Sequence, residues 1–302
     1  MIKLPKLSPK TTLWSLRINL VFQILIIVTG GAVRLTSSGL GCSTWPMCEP
    51  GSFTPEFHTA NTIHPYIEFG NRTLTGFLLI GALVVFYATW SDKTRTSKYR
   101  FWGLVPLLGV ILQAVIGGIT VLLDLHPWIV GSHLLISMFL VFASTYLIHL
   151  YRRNLATPAS LPKAVSSLRI AIMTLLIPVL LLGVITTGAG PHSGDDEVGY
   201  RFDVDPIIAA KAHAGATWLF VAAVVALFLL TFKYSNQLVP KSLKKRTEIL
   251  LVMTLLQGVI GYVQYFNGLP ELLVGLHMFG AALLTWATTR LFFYFDEVSE
   301  AI

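Results

Sequence analysis

Eight long apolar runs, separated by short polar or charged stretches, set the pattern of this chain. They fall at about 13–36, 65–90, 100–123, 127–150, 167–188, 206–232, 247–266 and 271–294. A helix needs about 20 apolar residues to cross the hydrocarbon core of a bilayer. Several runs contain Gly or Pro, which membrane helices tolerate because neighbouring groups satisfy the freed backbone. The pattern predicts an all-α integral membrane protein with eight transmembrane helices.

Composition agrees. The 302 residues are 54% hydrophobic and 12% charged, with mean hydropathy +0.69. A soluble domain averages about 25% charged residues. The net charge of +7 would also suit a nucleic-acid binder, but here the basic residues sit in the gaps between apolar runs. One set of gaps, with both chain ends, collects 18 of the 22 Lys and Arg. The other set holds Arg34, Arg72, Arg201 and Lys211, with ten of the fifteen acidic residues. The positive-inside rule then predicts both termini in the cytoplasm of a cell-membrane protein. The loops 37–64 and 189–205 face out, as do two tight turns near Asp124 and "NGLP". The N-terminal "MIKLPKLSPKTTLW" is basic, but the apolar segment behind it is too long for a cleaved signal.

The chain also repeats. Residues 112–133, "LQAVIGGITVLLDLHPWIVGSH", match residues 256–277, "LQGVIGYVQYFNGLPELLVGLH", at a constant offset of 144. In both copies twenty residues separate the Gln (Gln113, Gln257) from the His (His133, His277). Four spans return the chain to its starting side, so the repeat is parallel. It predicts two pseudo-symmetric four-helix bundles, an N-terminal half 1–155 and a C-terminal half 156–302. "VTGGAVRLTSSG" and "ITTGAGPHSG" are a weaker match in the first and fifth segments, and Asn71 falls close to the place of His213.

That register singles out certain polar residues. His133, His213 and His277 each lie six or seven residues inside the outer end of a span, roughly 9–10 Å deep at the helical rise. Asn71 is equally deep. A flat ligand between two helices of one half would meet such side chains from both sides, and bundle cores hold cofactors in this way. His213 with His277 makes a bis-imidazole pair suited to haem iron. His133 stands opposite Asn71. The other histidines, His58, His64, His126, His149 and His192, read as solvated or interfacial.

Ionisable groups inside a membrane are costly and mark function by default. Glu68, in "IEFGNR", shares a helix face with Asn71 and Arg72. Two readings stand: an ion pair with Arg72 that orders the helix end, or a proton-handling group above a substrate. Ala210 takes its place in the second copy. One half therefore carries a carboxylate and one His, the other two His and no carboxylate, which points to a reaction site in the first and a permanent cofactor in the second. Arg34 and Arg72 suit acidic groups such as haem propionates, or, for Arg34, snorkelling to the interface. Cys42 and Cys48 lie in an outer loop, where a disulfide is permitted; a disulfide or two free thiols both fit a C-x5-C loop.

Together, "TGGAVRLTSSGLGCSTWPMC", "IEFGNR" and the repeated Q-x-V-I-G…G-x-H blocks resemble the haem A synthase family over nearly the whole chain. The resemblance implies oxidation of the C8 methyl of haem O to a formyl group, giving haem A for cytochrome oxidase, with water as oxygen source. It implies haem b on His213 and His277, substrate haem O on His133, Glu68 as catalytic carboxylate, and a cysteine pair at Cys42 and Cys48. Partners implied are haem O, the haem O synthase that supplies it and membrane lipid, with no nucleic acid; a homo-oligomer is compatible. Two departures stand out. Many members have E-x-x-H-R where this chain has Glu68, Asn71 and Arg72, and some carry a second cysteine pair that loop 189–205 lacks. A haem carrier or cytochrome b-type electron conduit is the alternative, against which all the axial positions lying near one face argue.

Overall fold

A computed structural model describes residues 5–56, 63–152, 156–157, 161–234, 239, 241–294 and 296–297. His58 lies outside them. The described residues form eight α-helices: α1 Pro9–Leu35, α2 His64–Trp90, α3 Ser97–Leu122, α4 Pro127–Arg152, α5 Lys163–Ala189, α6 Pro206–Lys233, α7 Lys241–Phe266 and α8 Glu271–Phe292. Each is long and apolar enough to cross a membrane, so the all-α, eight-span expectation is borne out. Helices α1, α5 and α7 begin four to six residues before their apolar runs. Helical hydrogen bonding continues into the polar first turn, which hydropathy does not register. One two-residue antiparallel pairing, β1 Ala156–Thr157 with β2 Asp296–Glu297, sets Ala156 opposite Glu297.

Local chemistry explains the helix starts. Ser8 caps α1 by accepting the Thr11 N–H at 3.1 Å, with Pro9 following it. Thr96 caps α3 through the Tyr99 N–H at 3.3 Å. Asp205 accepts the N–H groups of Ile207 and Ile208 at 2.7 and 3.0 Å at the head of α6. Each cap satisfies donors that the helix cannot.

By contact the chain divides into two compact units, Met1–Ser144 with Val184–Ala209, and Thr145–Gly183 with Ala210–Ile302. In the first, Leu78 and Ala82 of α2 and Val110 of α3 bury against Phe22 and Ile26 of α1. Asn19 donates to Ser144 at 3.0 Å in the same interior. The second long loop is part of this unit. The Gly39 N–H donates to the Gly194 carbonyl at 2.7 Å, and Ser37 to Asp196 at 2.6 Å. At the opposite end Asp92 accepts Lys6 at 3.0 Å. Burial alone would raise its carboxyl, but Thr94 and Lys6 outweigh that and hold it below its ordinary value.

In the second unit one buried cluster draws on α5, α6, α7 and α8. Ile172 and Leu176 come from α5, Phe220, Val224 and Leu227 from α6, Leu243 and Leu250 from α7, Leu284 and Leu291 from α8. Large apolar side chains such as Phe77, Ile80, Leu219 and Val259 are exposed on the spans. So much exposed apolar surface suits lipid rather than water.

Candidate functional site

The first unit builds its polar site around a short covalent loop. Cys42 and Cys48 are joined by a disulfide with Cα atoms 4.4 Å apart, and both residues are fully buried. Of the two readings of these cysteines, the bonded one holds. Three side chains tie this loop down. Glu68, 5% exposed, accepts the Cys42 N–H on Oε2 at 2.7 Å. Arg72 donates to Glu68 Oε1 through Nε at 3.0 Å and Nη2 at 2.5 Å. Its Nη1 reaches the Thr44 and Met47 carbonyls at 3.0 and 3.2 Å. Trp45 lies flat on α3: a Cβ on Gly118 would fall 2.4 Å from its ring, so the close approach needs glycine there.

The i,i+4 ion pair between Glu68 and Arg72 is therefore present, and it anchors the disulfide loop as well as the helix end. Neither side chain points to lipid. An ionised carboxylate offers about four acceptor sites. Three are engaged here, which leaves Glu68 room for one more donor.

Asn71, on the same helix, accepts the Thr29 hydroxyl on Oδ1 at 2.7 Å. This holds α1 to α2 at the depth where the second unit has His213. His133 packs on α3: a Cβ on Gly117 would lie 3.5 Å from its Cε1. Gln113 donates to the His133 carbonyl at 2.9 Å and to Ser137 at 2.5 Å. The twenty-residue Gln–His spacing thus has a structural meaning in this copy, since it ties α3 to α4 at the histidine.

In the second unit the same motif recurs. A Cβ on Gly261 of α7 would lie 3.3 Å from Cε1 of His277, as Gly117 faces His133 one repeat earlier. His213 sits against α5, where a Cβ on Gly183 would lie 3.2 Å from its Cε1. The His213 and His277 rings have centroids 6.2 Å apart and planes at 82°. Nδ1 of His133, His213 and His277 is in each case buried without a hydrogen-bond partner. Leaving a buried polar atom unpaired costs about 1–3 kcal/mol.

Arg34 does not share a site with Arg72. It ends α1 and donates to the His192 carbonyl from Nε at 2.8 Å and to the Thr187 carbonyl from Nη2 at 2.9 Å. Several functional-looking residues escaped the sequence reading. Thr29 and Gly183 are small residues at contacts that only tertiary packing reveals. Arg201 registered only as one of four basic residues on the acidic side. Gly117 and Gly261 lie inside the repeated motif, the one signal that could have flagged them.

Residues 13–288 match the family model described as COX15-CtaA, cytochrome oxidase assembly protein. Among curated proteins the chain is similar to a protein named Heme A synthase from Lysinibacillus sphaericus, 34% identical over 42% of this chain and 40% of that protein. It is similar to another of that name from Shewanella oneidensis, 29% identical over 56% of this chain and 55% of that protein. A third, from Staphylococcus aureus, is 23% identical over 70% of this chain and 68% of its own length. The first two matches thus span about half the length of those relatives.

Proposed function

The chain belongs to the COX15-CtaA family of cytochrome oxidase assembly proteins, and from that premise we propose that it is a haem A synthase, an oxidoreductase that converts haem O to haem A. It works as a multi-pass protein of the cell membrane, with both termini in the cytoplasm. The C-terminal half, 156–302, holds haem b and the N-terminal half, 1–155, takes haem O. A homo-oligomer is compatible with this reading, and the haem O synthase is the natural supplier of substrate.

One observation carries the proposal. A metal–imidazole bond of about 2 Å would fit on each side of a metal ion held between two imidazole rings whose centroids stand roughly 6 Å apart. The His213–His277 centroids stand 6.2 Å apart, and perpendicular ring planes can share one axis. The donor set fits haem iron, so His213 and His277 would hold haem b. Bound there, it would supply one-electron redox chemistry.

The N-terminal site does different work. Haem O enters as substrate, with His133 as a ligand to its iron and Asn71, fixed by Thr29, on the opposing helix. The reaction is two successive oxidations of the methyl group. One methyl and one water give one formyl group, four protons and four electrons. Glu68, with one acceptor position uncommitted, takes up a proton at its carboxylate. Arg72 keeps that carboxylate in place and ties it to the disulfide loop, which covers α3 through Trp45. The electrons leave to an acceptor outside the chain.

Pigment extraction tests the proposal against a haem carrier or cytochrome b-type conduit. In cells that make haem O as their last haem, membranes carrying this chain are expected to yield haem A. Haem O and haem b alone in the extract would support the carrier.

A further inference from the structure

Two arginines of the first unit line one pocket and have no carboxylate partner among the described residues. Arg34 at the end of α1 and Arg201 in the second long loop line one pocket, together with Leu125, Val130, Leu134 and Val184. No carboxylate lies within 4.0 Å of either among the described residues. Three of the five acidic residues of the same loop make other hydrogen bonds. Asp196 accepts Ser37, Asp195 accepts the Glu197 N–H, and Asp205 caps α6.

What holds these cations is backbone oxygen. Arg34 uses Nε and Nη2 on the carbonyls of His192 and Thr187. Arg201 donates to the carbonyls of Gly190, Val198, Tyr200 and Pro191 at 2.8–3.0 Å. A guanidinium has five N–H donors in a rigid fork. Both hydrogens of Arg34 Nη1 and one of Arg201 Nη2 therefore remain for a ligand. Carbonyl dipoles fix the forks but do not cancel their charge. Two partly buried like charges with donors to spare are stabilised by an anion.

We propose that Arg34 and Arg201 form an oxyanion socket that takes the carboxylate or phosphate of an amphiphilic ligand, whose apolar body lies on Leu125, Val130, Leu134 and Val184. Two sources present that chemistry at this depth: an acidic side chain of a bound tetrapyrrole, and a phospholipid headgroup. The choice of a tetrapyrrole as first probe rests on the proposed function; the socket does not.

The test uses the purified full-length protein with haem b already in its second unit. One arm titrates it with iron protoporphyrin IX and with the dimethyl ester of that compound. The wild type is expected to bind the diacid at least about tenfold more tightly, the scale of one charge-assisted hydrogen bond. Arg201→Gln is expected to erase that preference. The other arm counts phosphatidylglycerol retained per chain by native mass spectrometry. Loss of one retained lipid in Arg201→Gln, with no diacid preference in the wild type, assigns the socket to lipid phosphate. If Arg201→Gln fails to fold, Val130→Phe narrows the same pocket from α4 and is read in the same two arms. Diacid preference and lipid retention both unchanged by the variants would overturn the socket. Neither arm measures haem A, so the socket and the proposed function fail independently.

Discussion

Glu68→Gln is expected to give a folded protein that keeps its haem b and makes at least about 100-fold less haem A, the loss typical of removing a general acid or base. Glu68 is buried, and its carboxylate accepts from both Cys42 and Arg72. Gln has one acceptor oxygen, so its NH2 must face either the Cys42 N–H or the Arg72 fork. That donor–donor conflict costs about 1–3 kcal/mol and loosens the disulfide loop. Two controls separate this from lost chemistry: the haem b spectrum, and the rate at which dithiothreitol reduces Cys42–Cys48. Wild-type amounts of haem A from Glu68→Gln would reduce Glu68 to an anchor for the loop.

His277→Ala is expected to abolish the low-spin bis-imidazole signal of the purified protein, and His213→Ala to do the same. Each variant leaves one ring facing the iron across a gap that the 6.2 Å pair fills in the wild type. Alanine adds nothing that can bind iron, so the second unit should retain less than about a tenth of its haem, since losing a group that merely orients a metal ligand already weakens such sites roughly 10–100-fold. Haem content and spectrum together read the result. An unchanged low-spin signal in both variants would mean that other residues hold the cofactor.

Much of this was legible in the sequence, for physical reasons. Bilayer thickness imposes a length on each apolar run, so eight helices could be counted directly. The 144-residue repeat made His133 and His277 equivalents, and their facing glycines, Gly117 and Gly261, lie at the same offset. Glu68 and Arg72 are four residues apart, and helix geometry alone brings them together. The C-x5-C loop left the state of its cysteines open until the Cα atoms were found 4.4 Å apart.

Contacts made by chain segments far apart were not legible. No local pattern joins Arg34 to the carbonyls of Thr187 and His192, more than 150 residues away. The same holds for the tie between Thr29 and Asn71, and for Trp45 on Gly118. Loop 189–205 has no periodicity to read, so its packing in the first unit, and the role of Arg201 within it, became visible only from the fold. Arg34 and Arg72, grouped by depth in the sequence, hold different loops.

The proposed function divides the labour between two sites, one that would transform its haem and one that would keep it. Purified wild-type protein, loaded with haem b and one equivalent of haem O, is mixed with a soluble one-electron oxidant, and its pigments are extracted and separated. Haem O is expected to fall as haem A rises in equal amount, with haem b constant throughout. Haem O recovered unchanged, or haem A formed while haem b disappears, would contradict the account.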